Sequence, residues 1–509
     1  MSPIFTRTGR AFSRRGFLYI SGAAAASALN INRAMAAQTG TPTAVNFDNG
    51  TFLAAETVHE ITATFDQTEY DTMIQGYVDT ADKAWIEATV SIDGTEYTKA
   101  GMRLKGNSSL MGLRMNGENG PQNFDNGVGG STGTGNATPT ADTPEGDFRT
   151  GGPGGISADV PEGLPWFVRL DKFVDGQNHN GLTELIVRAN NSSTSLNEAV
   201  ALDLLTAAGL ASQRAAAVGF SVNGSEPKLR LAIENPNDAW MAEHFSVDGL
   251  LFKSEAEGDW SYRGDDYSSY TEAFDLEGGS TDDDAADYAP LIDFMDFLNN
   301  SDDTTFIAEL PSRLDVDQFA VYKAMMTLIN NGDDISGAGN NSYLYYAPDA
   351  EQFTVVPWDM NLAFGGMGGM GGGPTFSENG ERPDFGTQDG SFTVPADGTP
   401  SAMPQIVIDG TPVAGAPTDM IQPGNGDNRM GGMGGMNNPL VSRFQADADF
   451  AAMIDEQTTS LRASLYASGV AESILAARVA VLESGALDLV DQSTITSEAE
   501  SLAAFFTAS

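Results

Sequence analysis

The sequence predicts an α+β protein with a β-rich first half, a mainly helical second half and glycine-rich insertions in each. Three observations carry this. Apolar stretches broken at Asp93-Gly94 and at Asn223-Gly224 mark two hairpins in the first half. Capped segments of helical periodicity dominate the second half. The 57 glycines gather in stretches with scarcely any large apolar residues, although 41% of the 509 residues are hydrophobic, enough for a substantial core.

Taken in order, Ser13-Arg14-Arg15-Gly16-Phe17-Leu18 places paired arginines before a modest apolar stretch ending at Leu29. Ala34-Met35-Ala36 follows as a cleavage pattern. Residues 1–36 therefore read as a twin-arginine signal, and the protein as exported: periplasmic, cell-surface or extracellular. The apolar stretch is shorter than the roughly 20 residues of a spanning helix, so no stable membrane span is expected there or elsewhere.

His59 to Phe65 alternates as a strand, and Asp66-Gln67-Thr68-Glu69 is a capping box opening a helix. Thr89 to Ile92 turns at Asp93-Gly94 and returns toward Met102-Arg103-Leu104. From Met111 to Gly163 the composition is that of a loop insertion. Strands resume at Trp166 to Leu170 and Leu182 to Val187. Ser195-Leu196-Asn197-Glu198 is a second capping box, opening a helix that ends at Gly209. Ala215 to Val222 and Leu229 to Ile233 form the second hairpin.

Asp315 caps a helix from Val316 to Asn330, with Val316, Val321, Met325 and Leu328 as its apolar face. Tyr343 to Tyr346 and Phe353 to Val356 are short strands, the second ended by Pro357. Leu440 to Phe506 is mainly helical. The resulting division is a β-rich part over 45–260, interrupted at 111–163, and a mostly helical part over 261–509. A Gly/Met/Pro-rich insertion at 365–438 interrupts the second part.

The net charge of −44 argues against a nucleic-acid binder, because a polyanion attracts clustered Lys and Arg. The first 36 residues hold five arginines and no acid, so the remainder is more acidic still. Without cysteine there are no disulfides or thiolate sites, and three histidines make a zinc cluster improbable. Asp282, Asp283 and Asp284 lack the glycine and terminal glutamate of a calcium loop. The Gly-Gly-Met repeats read as linkers rather than as soft copper ligands.

The informative region runs from Asn330 to Gly365. Acids Asp333 and Asp334, amides Asn340 and Asn341, a tight hairpin and then Pro357-Trp358-Asp359-Met360-Asn361 occur in that order. Phosphoryl transfer uses such a set: one carboxylate orients the attacking hydroxyl, and an amide and a second carboxylate hold magnesium on the phosphates. Asp333 and Asp334 also fit an Asx turn after the helix. Asp359, behind an apolar strand and an indole, demands a cation or several donors.

These residues, with Arg103-Leu104-Lys105-Gly106-Asn107-Ser108-Ser109, Asn190-Asn191, the Val222-Asn223-Gly224 hairpin with Glu234, and Asn341-Ser342-Tyr343-Leu344-Tyr345, resemble the CotH kinase family of spore-coat-protein-H-like atypical kinases. The resemblance runs from about residue 55 to 500. It implies a two-lobed, atypical protein-kinase-like fold that binds ATP with Mg2+ or Mn2+ and phosphorylates a protein Ser or Thr. By resemblance, Asp333 is the catalytic acid with Asp334 as its rival, Asp359, Asn341 and Asn361 hold metal, and Arg103, Lys105, Asn107 and Ser108 form a phosphate-facing turn, with Glu198 and Glu234 also toward the cofactor. Two readings stay open: the turn is alternatively a charged hairpin end, and Glu198 alternatively only a cap. Asn361 stands where a second acid is common, so metal binding is expected to be weaker. The alternative function is a catalytically silent envelope or matrix protein that binds partners or cations through its acidic surface.

Overall fold

The computed structural model describes residues 52–53, 56–115, 156–245, 249–256, 258–281, 283–336, 339–365, 407–408, 411–412 and 438–507. The expected signal segment and most of both glycine-rich insertions lie outside these residues.

Seven strands close into a barrel: β1 (His59–Phe65), β2 (Ile86–Ile92), β3 (Thr95–Leu104), β4 (Trp166–Arg169), β5 (Glu184–Val187), β6 (Ala215–Val222) and β7 (Lys228–Glu234), in the order β1-β2-β3-β4-β5-β7-β6. Neighbours run antiparallel except β1 and β6, whose parallel pairing, Ile61 opposite Phe220, closes the ring. Closure leaves no exposed edge. The sequence shows the strands and both hairpins but not this long-range pairing. Asp93 and Gly94 (φ 48° and 78°) and Asn223 and Gly224 (φ 49° and 79°) adopt the left-handed conformations that two-residue turns need.

Alternation fills the barrel with Ile61, Val90, Ile92, Met102, Leu104, Trp166, Val168, Val218 and Phe220. Helix α1 (Gln67–Thr80) packs into the same core through Tyr70, Met73 and Tyr77. Asp66 caps it, accepting from the backbone N–H of Thr68 at 2.8 Å and of Glu69 at 3.1 Å. The expected loop from Met111 to Gly163 begins instead with a short helix, α2 (Met111–Met115), and ends with the 3-10 turn Pro161–Gly163.

The outer face of the barrel belongs to a second core. Phe167, Ile186, Leu229 and Leu231 pack with the helices that follow rather than with the barrel interior. Helix α3 (Leu196–Ala207) is buried almost all round, and its mean hydropathy leaves no polar face. The expected capping box does not form: Ser195 sits at φ 53° with no side-chain cap bond, and Glu198 is used elsewhere. After α4 (Asp238–His244) a second sheet is built from β8 (Leu250–Ser254), β9 (Phe274–Gly278), β10 (Ser342–Ala347) and β11 (Gln352–Pro357), in the order β11-β10-β8-β9. β8 thus pairs with strands of the second half, although it falls before residue 260.

Helices α5 (Asp284–Asn300), α6 (Asp303–Glu309) and α7 (Val316–Leu328) intervene between β9 and β10. α7 is capped as expected, Asp315 accepting from Gln318 N at 3.0 Å. Its buried surface is wider than the expected stripe: Phe319, Tyr322, Lys323 and Met326 are inside, while Val316 and Val321 are only partly covered. Val407–Ile408 and Thr411–Pro412 pair as β12 and β13. The tail is helical as expected: α8 (Pro439–Ala446), α9 (Ala448–Leu461), α10 (Val470–Gly485) and α11 (Gln492–Thr507). Among the described residues no single helix is long and apolar enough to cross a membrane.

α10 is tied to the barrel side by Arg478. Its guanidinium holds both oxygens of Asp203 on α3 at 2.7 Å and donates to the Ala215 carbonyl of β6 at 2.7 Å, all buried or nearly so. Arg478→Ala strands a carboxylate and a carbonyl, so unfolding free energy falls by about 3–5 kcal/mol. A denaturant titration reads this directly; an unchanged midpoint would mean that the tail is held by apolar packing alone.

Candidate active site between the barrel and the second sheet

The end of β11 delivers the loop Trp358-Asp359. Trp358 is buried edge-on to Tyr343 of β10, ring centres 5.4 Å apart, and that anchor places Asp359 at the strand end with φ 62°. An Asp tolerates this left-handed conformation better than a branched residue does. Arg188, directly after β5, reaches the same point. Its Nε lies 3.0 Å from Glu198 Oε1, and its terminal nitrogen donates to Asp359 Oδ1. Arg188 and Glu198 are buried. The charges of Asp359 and Glu198 outweigh the burial of Arg188 and hold its guanidinium protonated. Burial pushes the Glu198 carboxyl up, Arg188 pulls it back, and Asp359 adds to the rise.

Glu198 is therefore not a helix cap; it is the partner of Arg188. The segment 360–365 that follows Asp359 lies against α3. Asn197 donates to the Asn361 carbonyl at 2.7 Å and Asn191 to the same atom at 3.4 Å, which fixes the backbone beside Asp359.

Asp333 and Asp334 part company. Asp334 is buried against Lys323 of α7, which also donates to Ser336 Oγ at 2.6 Å, and its other oxygen accepts from Ser336 N at 2.9 Å. This carboxylate holds the loop. Asp333 is exposed. Its carboxyl is nonetheless pushed above the usual range, first by lost hydration and then by the charge of Asp359, against a lowering hydrogen bond from Asn341. Asn341 is buried and donates to the Asp333 carbonyl at 2.7 Å, while its own carbonyl oxygen accepts from Asn340 at 3.2 Å.

On the barrel side, Gly106 has φ 107°, and a Cβ there would collide with Ser109 Oγ, so the turn after β3 needs its glycine. Asn107 accepts from Lys83 Nζ at 2.6 Å, and Ser108 opens the 3-10 turn Ser108–Leu110. Arg103 lies over Trp85 and Phe167, 4.9 and 5.2 Å from their ring centres, and Lys105 lies 5.2 Å from that of Phe167. Burial lowers the Lys105 ammonium, and Glu277 opposes it most. Lys253 of β8 faces it. Burial takes its ammonium down to about 8, with Lys105 lowering and Glu255 and Asp359 raising it. Lys253 Nζ donates to the Asn340 carbonyl at 2.7 Å.

The structure thus brings together Asp333, Asn341, Asp359 and Glu198, the last two through Arg188, while Lys105 lies beside Lys253 and Arg103. Glu234 is not among them. It is bound by Arg214 and lines a separate cavity of about 370 Å³ with Glu184, Asn237 and Trp240. Sequence reasoning missed Arg188, Lys253 and Lys323. Their signal was a lone cation at the end or inside of an otherwise apolar run.

The chain matches the profile of the CotH kinase protein family over residues 154–474. It is also similar to inner spore coat protein H of Bacillus subtilis (strain 168), 23% identical over 199 residues, covering 38% of this chain and 53% of that protein. The chain thus spans about half the length of that relative.

The two neighbouring aspartates respond oppositely to substitution. Asp334→Ala leaves Lys323 buried without its partner and costs about 3–5 kcal/mol. Asp333→Asn removes a charge that the fold disfavours. Because the folded pKa of Asp333 is raised, its contribution is intact at low pH and is lost as pH rises. The amide accordingly raises the melting temperature at pH 7 and not below about pH 4, near the ordinary carboxylate range. Thermal unfolding at the two pH values checks both.

Proposed function

The chain belongs to the CotH kinase family, and from that premise we propose that it is an atypical kinase moving the γ-phosphate of ATP onto a Ser or Thr hydroxyl of a protein. The observation that carries this is the convergence of Asp333, Asn341 and Asp359 opposite Arg103, Lys105 and Lys253. Cations gathered at one place are informative in a chain with 26 basic against 70 acidic residues. In this reading the barrel and the helical remainder are the two lobes of a kinase-like fold.

The donor set suits magnesium or manganese. Asp359, Asn341 and Asn361 offer hard oxygen atoms, and among the described residues no group of three His, Cys, Asp or Glu side chains holds an ion by itself. One carboxylate plus amides is what a cation sharing phosphate oxygens requires. When bound, that cation would neutralise charge on the phosphates. Arg188 keeps Asp359 oriented through Oδ1, leaving Oδ2 for the ion. Asp333, close enough to Asp359 to feel its charge, orients the acceptor hydroxyl and takes its proton. Lys105 and Lys253 face the developing anion from the two sheets.

Residues 1–36 support export, and the name of the spore coat relative supports a surface or coat location. A second reading, a silent scaffold, is favoured by one observation: Asp359 already has a cationic partner in Arg188.

The test is incubation of the mature chain with γ-labelled ATP, magnesium or manganese, and a Ser/Thr peptide library. Wild type transfers label, and Asp333→Asn and Asp359→Asn each lower transfer by about 100-fold or more. Equal transfer by all three removes these residues from the chemistry. No transfer by wild type, together with no nucleotide binding, leaves the scaffold.

A further inference from the structure

Three carboxylates of the cleft have no part in the transfer just described. Glu255 follows β8, Asp275 lies cross-strand from Lys253 of β8, and Glu277 stands at the bulge of β9 between Leu276 and Gly278. Burial pushes each of them above the usual carboxylate range, while Lys105 pulls all three back. None forms a hydrogen bond or ion pair among the described residues.

Tyr343 supplies an independent sign. It is fully buried and its hydroxyl has no partner. Its cross-strand partner on β8 is Lys253, which in turn pairs with Asp275, so Tyr343 shares one face of the sheet with them; its pKa is raised well above the ordinary value, first by burial and then by Glu277, Glu255, Glu184 and Asp275. On the barrel side, Arg103 Nε is also buried without a partner. Arg103 and Lys105 thus stand on the barrel side and the three carboxylates on the second sheet, with Lys253 of that sheet beside Asp275.

A ligand matching both sets of charges carries anionic groups at one end and several neutral donors at the other. A bare divalent ion leaves the cations unmet. An acidic peptide leaves the carboxylates unmet. A ribonucleoside triphosphate meets both, with phosphates for Lys105, Lys253 and Arg103 and a vicinal sugar diol for the carboxylates. Resting on the reading of this cleft as a nucleotide site, we infer that Glu255, Asp275 and Glu277 hold the ribose hydroxyls and make the protein select ribonucleotides over deoxyribonucleotides.

Calorimetry on the whole mature chain with magnesium and ATP, 2′-deoxy-ATP or 3′-deoxy-ATP tests this. Wild type binds at least one deoxy analogue about 10- to 100-fold more weakly than ATP, the effect of losing a hydrogen bond to a charged acceptor. In Glu255→Gln, Asp275→Asn or Glu277→Gln that ratio falls toward one, mainly through weaker ATP binding. Wild type binding ATP and both analogues equally, or a ratio that survives all three substitutions, overturns the inference and leaves the kinase reading standing. Failure to bind any nucleotide overturns both. Melting temperatures separate a structural role: each amide leaves stability at pH 7 unchanged or higher, because it removes a charge the fold disfavours, whereas a clear fall in all three variants overturns the assignment.

Discussion

The site depends on one buried cation. Arg188 bonds Glu198 on helix α3 and Asp359 at the end of β11, so a single guanidinium joins the barrel edge, the central helix and the second sheet. Glu198 is buried, and its carboxyl is pushed up by burial and by the nearby charge of Asp359, so the Arg188 guanidinium is what offsets that repulsion. The planar fork of arginine can offer donors in two directions at once; an ammonium cannot match this geometry. The left-handed backbone at Asp359 is held in turn by Trp358 packing on Tyr343 and by the asparagines on the Asn361 carbonyl.

Around this centre the described part of the loop, residues 331–336 and 339–341, is held by polar bonds in addition to the burial of Ile335. Asn331 accepts from Asp333 N at 3.2 Å, Asn341 holds the Asp333 carbonyl, and Asp334 is locked on Lys323. The Asp333 side chain stays exposed. Adjacent aspartates thereby acquire separate roles, one fastening the loop and one presented to solvent. The asymmetry arises because α7 places a lysine among buried apolar neighbours, where it must find a carboxylate.

The electrostatics follow the same logic at larger scale. A chain of net charge −44 would repel a polyphosphate everywhere on its surface. Arg103, Lys105, Arg188 and Lys253 set positive charge among the carboxylates of this region, and exclusion of water strengthens those fields. Their cost is visible in the depressed ammonium groups of Lys105 and Lys253.

Local features were legible because they depend on neighbours in the chain. The two hairpins with their left-handed turns, the caps of α1 and α7, the helical tail and the acidic solvent field all follow from adjacent residues or from bulk composition. The order Asp333, Asn341, Asp359 was legible too, since loop chemistry is written in short motifs. The failures share one cause. Ser195 and Glu198 look like a cap, and Glu198 goes to Arg188 instead; Glu234 looks like part of the site, and Arg214 takes it elsewhere. The parallel closure of β1 on β6 and the pairing of Asp334, rather than Asp333, with Lys323 likewise required knowing which distant groups meet. Turn, cap and periodicity are set by dihedral preferences within a few residues, so the sequence alone determined them. Which carboxylate meets which cation depends on distances across about 170 residues of chain, as between Arg188 and Asp359, and at short range such contacts outweigh local propensity, so only the tertiary structure decided them.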